Sequence, residues 1–347
     1  MTKAKKWTIV GSCLLAVMLF AAGCGGQEVK KVEAPAVVKP NVKTIAAKPI
    51  SPQVNGKALK FQTQDKNAPV VYFTKDISAK GLLKVYQALK QEQKGKVAIK
   101  VSFGSENEQY LDPRLLTELV KSTQGTFGET CGFTPPRDKP DGNYAMAQKH
   151  GFTAVGPVDI WDREGDVDMP VNGGYYLKYA RTGSHINHYD TFIAVHRFKV
   201  HNIPKLGGNI KNISLAMGSL SGHAIIHSAG TNEKKYESKD DETTAKCFAD
   251  AAKAALDYKK GRWAFVNVLD AFKPVDKCKD TKNLGDIGIL ASLDPVAIDQ
   301  ASVDFEIGAA KDEATRAAWE KFHSVNMLEY AEKIKVGKRH YQLLSVD

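Results

Sequence analysis

The chain lacks the short signatures that identify many α/β enzymes at sight. It has no H-E-x-x-H, no G-x-S-x-G, no Walker lysine loop and no G-x-G-x-x-G. Those absences argue against zincin proteases, α/β-hydrolases, P-loop NTPases and simple Rossmann dehydrogenases. Cysteine is scarce, at five in 347 residues, and no two form a C-x-x-C. A zinc ribbon or an iron–sulfur cluster built into the chain is therefore disfavoured. Cys13 and Cys24 belong to the amino-terminal region, leaving Cys131, Cys247 and Cys278. Three cysteines allow at most one internal disulfide, and whether Cys131 pairs with Cys278 stays open. No internal repeat is evident.

Charge is also missing where a nucleic-acid reading would need it. The formal net charge is +10, but Lys3, Lys5 and Lys6 sit in the first 23 residues. Residues 24–66 hold eight lysines against Glu28, Glu33 and Asp65, so only +2 remains for residues 67–347. No basic stripe with interleaved aromatics occurs in the body, which argues against a nucleic-acid partner. Basicity confined to the amino-terminal segments fits attraction to an anionic membrane or wall polymer.

What is present at the amino terminus has a clear physical meaning. Three lysines precede an apolar core from Trp7 to Ala22 that is short for a membrane span and suits a secretory signal. Ala21-Ala22-Gly23 before Cys24 resembles a bacterial lipobox, with Ala21 where that pattern prefers leucine. The resemblance implies that Cys24 becomes the lipidated first residue of an exported, membrane-anchored protein, on the outer face of the cell membrane or in the outer membrane. Residues 24–66, with Pro35, Pro40, Pro49 and Pro52 among lysine, valine and alanine, read as a semi-flexible tether.

From residue 67 onward strand and helix patterns alternate. Val70 to Phe73, Val97 to Val101, Thr126 to Thr130 and Phe152 to Ile160 have strand-like composition, as do Phe192 to Val195, Trp263 to Leu269, Ile287 to Ala291 and Tyr341 to Val346. Between them lie helical stretches, including Leu82 to Leu89, Thr244 to Tyr258 and the segment opened by Asp294-Pro295. Such alternation predicts an α/β fold, a mainly parallel or mixed sheet with helices on both faces, as one unit or two lobes.

Chemistry concentrates between Tyr189 and Gly230. An apolar strand ends in His196, Lys199 and His201, and a Gly207-Gly208 turn leads to Lys211, Asn212, His223 and His227. Open α/β sheets place their sites just past strand carboxyl ends. Glycines let backbone approach a ligand, a lysine pairs with a phosphate or carboxylate or attacks a carbonyl, and histidines move protons or bind metals. Asp294 reads first as a helix cap, and Asp299 one turn later is undetermined. The acid run Asp159, Asp162, Glu164, Asp166 and Asp168 does not match an EF-hand and reads as a solvated turn. His185-Ile-Asn-His188 could supply two metal ligands, but no third is placed beside them in sequence, so the surface reading is preferred.

The stretch Asp286-Ile-Gly-Ile-Leu-Ala-Ser-Leu-Asp-Pro-Val-Ala-Ile-Asp299, with Gly207-Gly208-Asn-Ile-Lys211-Asn212, resembles the domain of unknown function 362 family. Val71-Tyr-Phe-Thr-Lys-Asp-Ile and Leu328-Glu-Tyr-Ala-Glu332 extend that resemblance over nearly all of residues 69–347. Many members carry ferredoxin-like clusters or cysteine pairs, whereas this chain has isolated Cys131 and Cys278. The glycine–lysine segment is also similar to that of the nickel-pincer lactate racemase family. Carried over by position, His201 is the proton carrier, Lys211 the cofactor tether and His227 the metal ligand. That family's upstream histidine has no counterpart at Glu129-Thr130-Cys131-Gly132.

The resulting expectation is an enzyme dependent on a divalent metal or other cofactor and acting on a small anionic substrate. In it His201 and His196 exchange protons with Lys211 beside them, and Gly207, Gly208, Lys199, Asn212, Asp294 and Asp299 shape the ligand site. His227, with His201, binds the metal. The rival expectation is a non-catalytic lipoprotein that captures a metal or small ligand. Oligomeric state is not readable from the sequence.

Overall fold

The computed structural model describes residues 45–50, 53–54, 57–106, 110–199, 206–237, 239–270, 285–322 and 327–347. Residues 41–347 cluster as one compact unit rather than two lobes. Cys24, the leader, His201 and Cys278 lie outside the described residues.

In chain order the strands are β1 (Lys48–Pro49), β2 (Gln53–Val54), β3 (Lys57–Ala58), β4 (Val70–Thr74), β5 (Val97–Lys100), β6 (Thr126–Glu129) and β7 (Val158–Ile160). They continue as β8 (Asp166–Pro170), β9 (Tyr179–Gly183), β10 (Thr191–Arg197), β11 (Trp263–Leu269), β12 (Gly288–Ser292) and β13 (Gln342–Ser345). The α-helices are α1 (Ala79–Ala88), α2 (Thr117–Thr123), α3 (Pro140–Lys149), α4 (Asn209–Ile213) and α5 (Leu220–His227). After them come α6 (Asp241–Tyr258), α7 (Pro295–Ala309), α8 (Glu313–Phe322) and α9 (Met327–Lys333).

One mixed sheet runs in the order β1-β13-β4-β12-β11-β10-β5-β6-β7. From β11 through β10, β5 and β6 to β7 every pairing is parallel. β12 runs antiparallel to both its neighbours, β11 and β4. The central strands carry apolar residues on both faces, as a doubly covered sheet demands, and β10 and β11 are buried along their whole length.

One face, through Ile99, Ile193, Val195 and Val266, packs against Leu82 of α1 and Leu119 of α2. The other, through Ala98, Phe192, Ala194 and Phe265, packs against Ile210 and Ile213 of α4, the alanine stripe of α6, and Val296 to Ile298 of α7. The connection leaving β5 therefore covers one face and leads toward β6 and β7. The connections leaving β10 cover the other face and lead toward β11. Between the carboxyl ends of β5 and β10 the chain diverges, and such divergence leaves the crevice where open α/β sheets bind ligands.

The described part of the expected tether, from residue 45 on, is laid against the domain. β1 adds an antiparallel edge to β13, Leu59 is buried, and the Phe61 amide donates to the Asp304 carboxylate at 2.9 Å. An apolar side chain and a paired amide give this stretch enough burial to order it, which composition alone did not convey. Residues 152–160 are not one strand but a 3₁₀ turn followed by β7. No helix among the described residues is long and apolar enough to cross a membrane.

Candidate active site

Helix α4 is too short to be stable alone, so its position must come from side chains fixing it. Asp299, fully buried on α7, accepts from the amides of Asn209 and Ile210 at 2.8 Å each and from Asn267 Nδ2 at 2.8 Å. It supplies the negative charge that a helix amino terminus attracts. Burial pushes its carboxyl up to about 6, against the lowering effect of those donors. Asn209 Nδ2 in turn donates to the Val266 carbonyl and to Asn267 Oδ1, at 3.1 and 2.9 Å. A β-carbon at Gly208 would collide with the Asp299 carboxylate. The glycine is there so that helix and carboxylate can meet.

The other end of α4 is held from β5. Lys100, wholly buried, donates from Nζ to Asn212 Oδ1 at 3.1 Å and to the Val101 carbonyl at 2.7 Å. Desolvation lowers its ammonium to about 8, opposed by the charge of Glu129. Glu129, also buried, accepts from Arg137 at 2.8 Å and from the Phe103 amide at 2.9 Å. Arg137 donates to Asn143, whose amide holds the Thr130 carbonyl at 2.9 Å.

With its flanking asparagines fixed, α4 presents half-buried Lys211 toward α5. His223 and His227 lie four residues apart on α5, hence on one face of it. Both rings are buried. Desolvation, then the neighbouring His227, drives the His223 pKa down to about 3. Desolvation and the Lys211 charge bring His227 down to about 4. Both imidazoles are neutral at physiological pH.

Neither ring nitrogen of His223 completes a well-formed hydrogen bond, and the Leu215 carbonyl only partly favours its charged form. A buried imidazole left with two unmet polar atoms costs folding energy, on the order of 1–3 kcal/mol per group. Such a residue calls for an explanation, and a catalytic role or a bound water or ion would supply one. Phe133, from the loop after β6, lies 4.8 Å from the His223 ring, and Tyr236 lies 4.3 Å from the His227 ring. The two aromatics meet edge to face and form a rim that is itself 41% and 49% exposed.

At the divergence between β5 and β10 a small cleft, with about 20 Å³ of space open to a water molecule, is lined by Ser102, Gly104, Tyr110, His196 and Lys199. His196 is buried, and Lys199 exchanges backbone hydrogen bonds with Gly207 at 3.0 and 2.8 Å. Arg197 is engaged by Asp270 at 2.6 Å.

The expected site residues therefore separate. Lys211, with His227, joins His223 in one basic constellation, and His196 and Lys199 line the crevice. His201 lies outside the described residues. Gly207, Gly208, Asn212 and Asp299 are scaffold, their polar groups spent on holding α4. Asp294 was grouped with the ligand-holding residues. Its carboxylate instead accepts from Val296 and Ala297 at 2.9 Å and from Lys338 at 3.0 Å, capping α7 and pinning the carboxy-terminal segment.

The metal expected at His227 fits poorly. The described donors are two imidazoles beside the positive charges of Lys211 and Arg137, and the nearby carboxylate, Glu129, is committed to Arg137. That set repels a cation and attracts an anion. Cys131 is a buried free thiol with burial pushing its pKa up to about 12, so it offers no thiolate.

Sequence reasoning missed Lys100, Glu129 and Arg137. A lysine closing an apolar strand and a glutamate closing the next were the available signals. It also misread His185 and Asp159. His185 is buried with Nδ1 2.8 Å from Asp159, and Asp159, His185 and His188 form a group of possible metal ligands. The acid run is not a free turn either. Asp162 accepts from the Cys131 amide, Asp166 from Ser219 and Ser221, and Asp168 pairs with Arg181.

The family described as Domain of unknown function (DUF362) matches residues 97–304. No curated protein matches the chain. Among solved structures, the lactate racemase apoprotein from Thermoanaerobacterium thermosaccharolyticum is similar at 13% identity and a TM-score of 0.37, over 65% of this chain and 56% of that one. A structural-genomics protein from Thermotoga maritima is similar at 12% identity and a TM-score of 0.39, over 75% of this chain and 59% of that one. The chain thus spans somewhat over half the length of these structures.

Proposed function

The chain belongs to the domain of unknown function 362 family, and on that premise we propose that the constellation of Lys211, His223 and His227 receives a small anionic molecule with which His223 or His227 exchanges a proton. The observation that carries this reading is His223, buried, neutral and without a completed hydrogen bond, beside the Lys211 ammonium. Lys211 would hold a carboxylate or phosphate group. A neutral imidazole is able to accept a proton from the bound molecule or to donate one to it. His196, which lines the separate cleft past β5 and β10, is a second proton-exchanging candidate.

Isothermal titration with small mono- and dicarboxylates and phosphate esters tests the reading. Saturable binding of at least one probe, weakened tenfold or more in Lys211→Met, is expected. Equal affinity in the variant, or no binding at millimolar concentrations, would refute it. A second reading, capture without catalysis, is favoured by the exposed Phe133–Tyr236 rim, which leaves the site open to solvent. Under that reading His223→Gln keeps its ligand affinity and no probe is converted.

We also propose that the protein is exported and lipid-anchored through Cys24. Support comes from the small residues before Cys24 and the basic leader. Cys24→Ala should shift the protein from the membrane to the soluble fraction and abolish labelling by a palmitate analogue. Unchanged labelling would exclude this anchor.

A further inference from the structure

A second constellation lies at the sheet edge formed by β7, apart from the crevice. His185 and His188 belong to a 3₁₀ helix, Ser184–His188. Three residues per turn place positions i and i+3 directly above one another. The two imidazoles accordingly stand with ring centroids 4.4 Å apart. Asp159 of β7 faces them, and one ligand atom from each of Asp159, His185 and His188 falls within 4.8 Å of the others.

The surroundings are those of a supported ligand set. Tyr189 donates to Asp159 Oδ2 at 2.8 Å, so Oδ1 is turned toward His185 Nδ1. The other nitrogen of His185 is buried, and the Glu164 carboxylate stands 3.3 Å from it. A ligating imidazole held at its far nitrogen by a carboxylate is the usual second layer of a metal site. His188 is exposed and lines a polar cleft of about 390 Å³ with Lys96, Gln124, Thr126 and Tyr189.

From this geometry we infer that Asp159, His185 and His188 bind a divalent transition metal ion, with Glu164 orienting His185. Two imidazoles and one carboxylate select a borderline ion such as zinc or cobalt rather than calcium or magnesium. Ligand bonds of about 2.0–2.2 Å require donors roughly 3.4 Å apart around a tetrahedral ion. Rotation of the exposed His188 ring brings it in, and the fourth position opens to the cleft. An open position is the mark of an exchangeable or catalytic ion rather than a structural one.

The test is titration of the metal-stripped full chain with zinc, and with cobalt followed by its visible absorption. One equivalent should bind. His188→Ala, a surface change that leaves the core intact, should weaken binding tenfold or more, and Glu164→Gln should weaken it roughly 10–100-fold. The double variant His223→Gln/His227→Gln should bind as the parent does, which separates this site from the crevice. Absence of binding at millimolar zinc would overturn the assignment. Undiminished affinity in His188→Ala, or loss of binding in the double variant alone, would do so equally.

Discussion

The two histidines of α5 should govern how stability responds to mild acid. Their folded pKa values, about 3 and about 4, lie below the usual 6.5. Between those limits the unfolded chain takes up protons that the folded chain refuses, so their contribution to stability is full above pH 6.5 and falls as pH drops toward 4. Asp299 and Asp294 act oppositely. Burial raises both carboxyls to about 6, so their contribution is full below the usual 3.8 and is lost as pH rises through 6. Comparison with a variant separates the two effects. The stability of the native chain minus that of His223→Gln/His227→Gln should rise between pH 4 and 6.5, by up to about 1.4 kcal/mol per pH unit for each histidine. Urea unfolding at several pH values measures it, and a flat difference would contradict the burial assigned to these rings. At this scale sequence reading singled out Lys211 and His227, because a glycine turn and a histidine pair stand out. It missed Lys100 and Glu129, whose significance depends on three-dimensional neighbours tens of residues distant.

At the scale of elements, α4 matters most. It has five residues, and its hold on the sheet comes from Asp299, Asn209 and Asn212 rather than from its own hydrogen bonds. Asp299 cannot retreat from a larger residue at position 208, because three donors fix it. Gly208→Ala should therefore destabilise the protein by about 1–3 kcal/mol, as overpacking of a close contact does. Denaturant unfolding checks this, and a loss under a few tenths of a kcal/mol would mean the contact is not tight. The strands from Val97, Trp263 and Ile287 and the helices from Thr244 and Pro295 were legible as elements because long apolar periodicity dominates them. The β8–β9 hairpin was not, because its acidic strand Asp166–Pro170 is half exposed and takes its order from Arg181 on β9. The segment 45–66 failed for a similar reason. Its pairing partners, β13 and Asp304, come from the far end of the chain.

For the molecule as a whole, the decisive feature is the divergence of chain direction between β5 and β10, which opens a crevice bordered by basic groups in a body that is nearly neutral. Alternating strand and helix patterns made the α/β class readable in advance. Strand order was not readable, because periodicity says nothing about which strands are neighbours. The proximity of Lys100 on β5, Glu129 on β6, Lys211 on α4 and the α5 histidines could be known only from the fold. The central claim is that Lys211, His223 and His227 act together on an anion. Side-chain imidazole NMR, recorded while inorganic phosphate or acetate is added, examines that most directly. Saturable shifts of the His223 and His227 signals, absent in Lys211→Met, are the expected result. Signals that stay fixed throughout the titration, or that move equally in the variant, would contradict it.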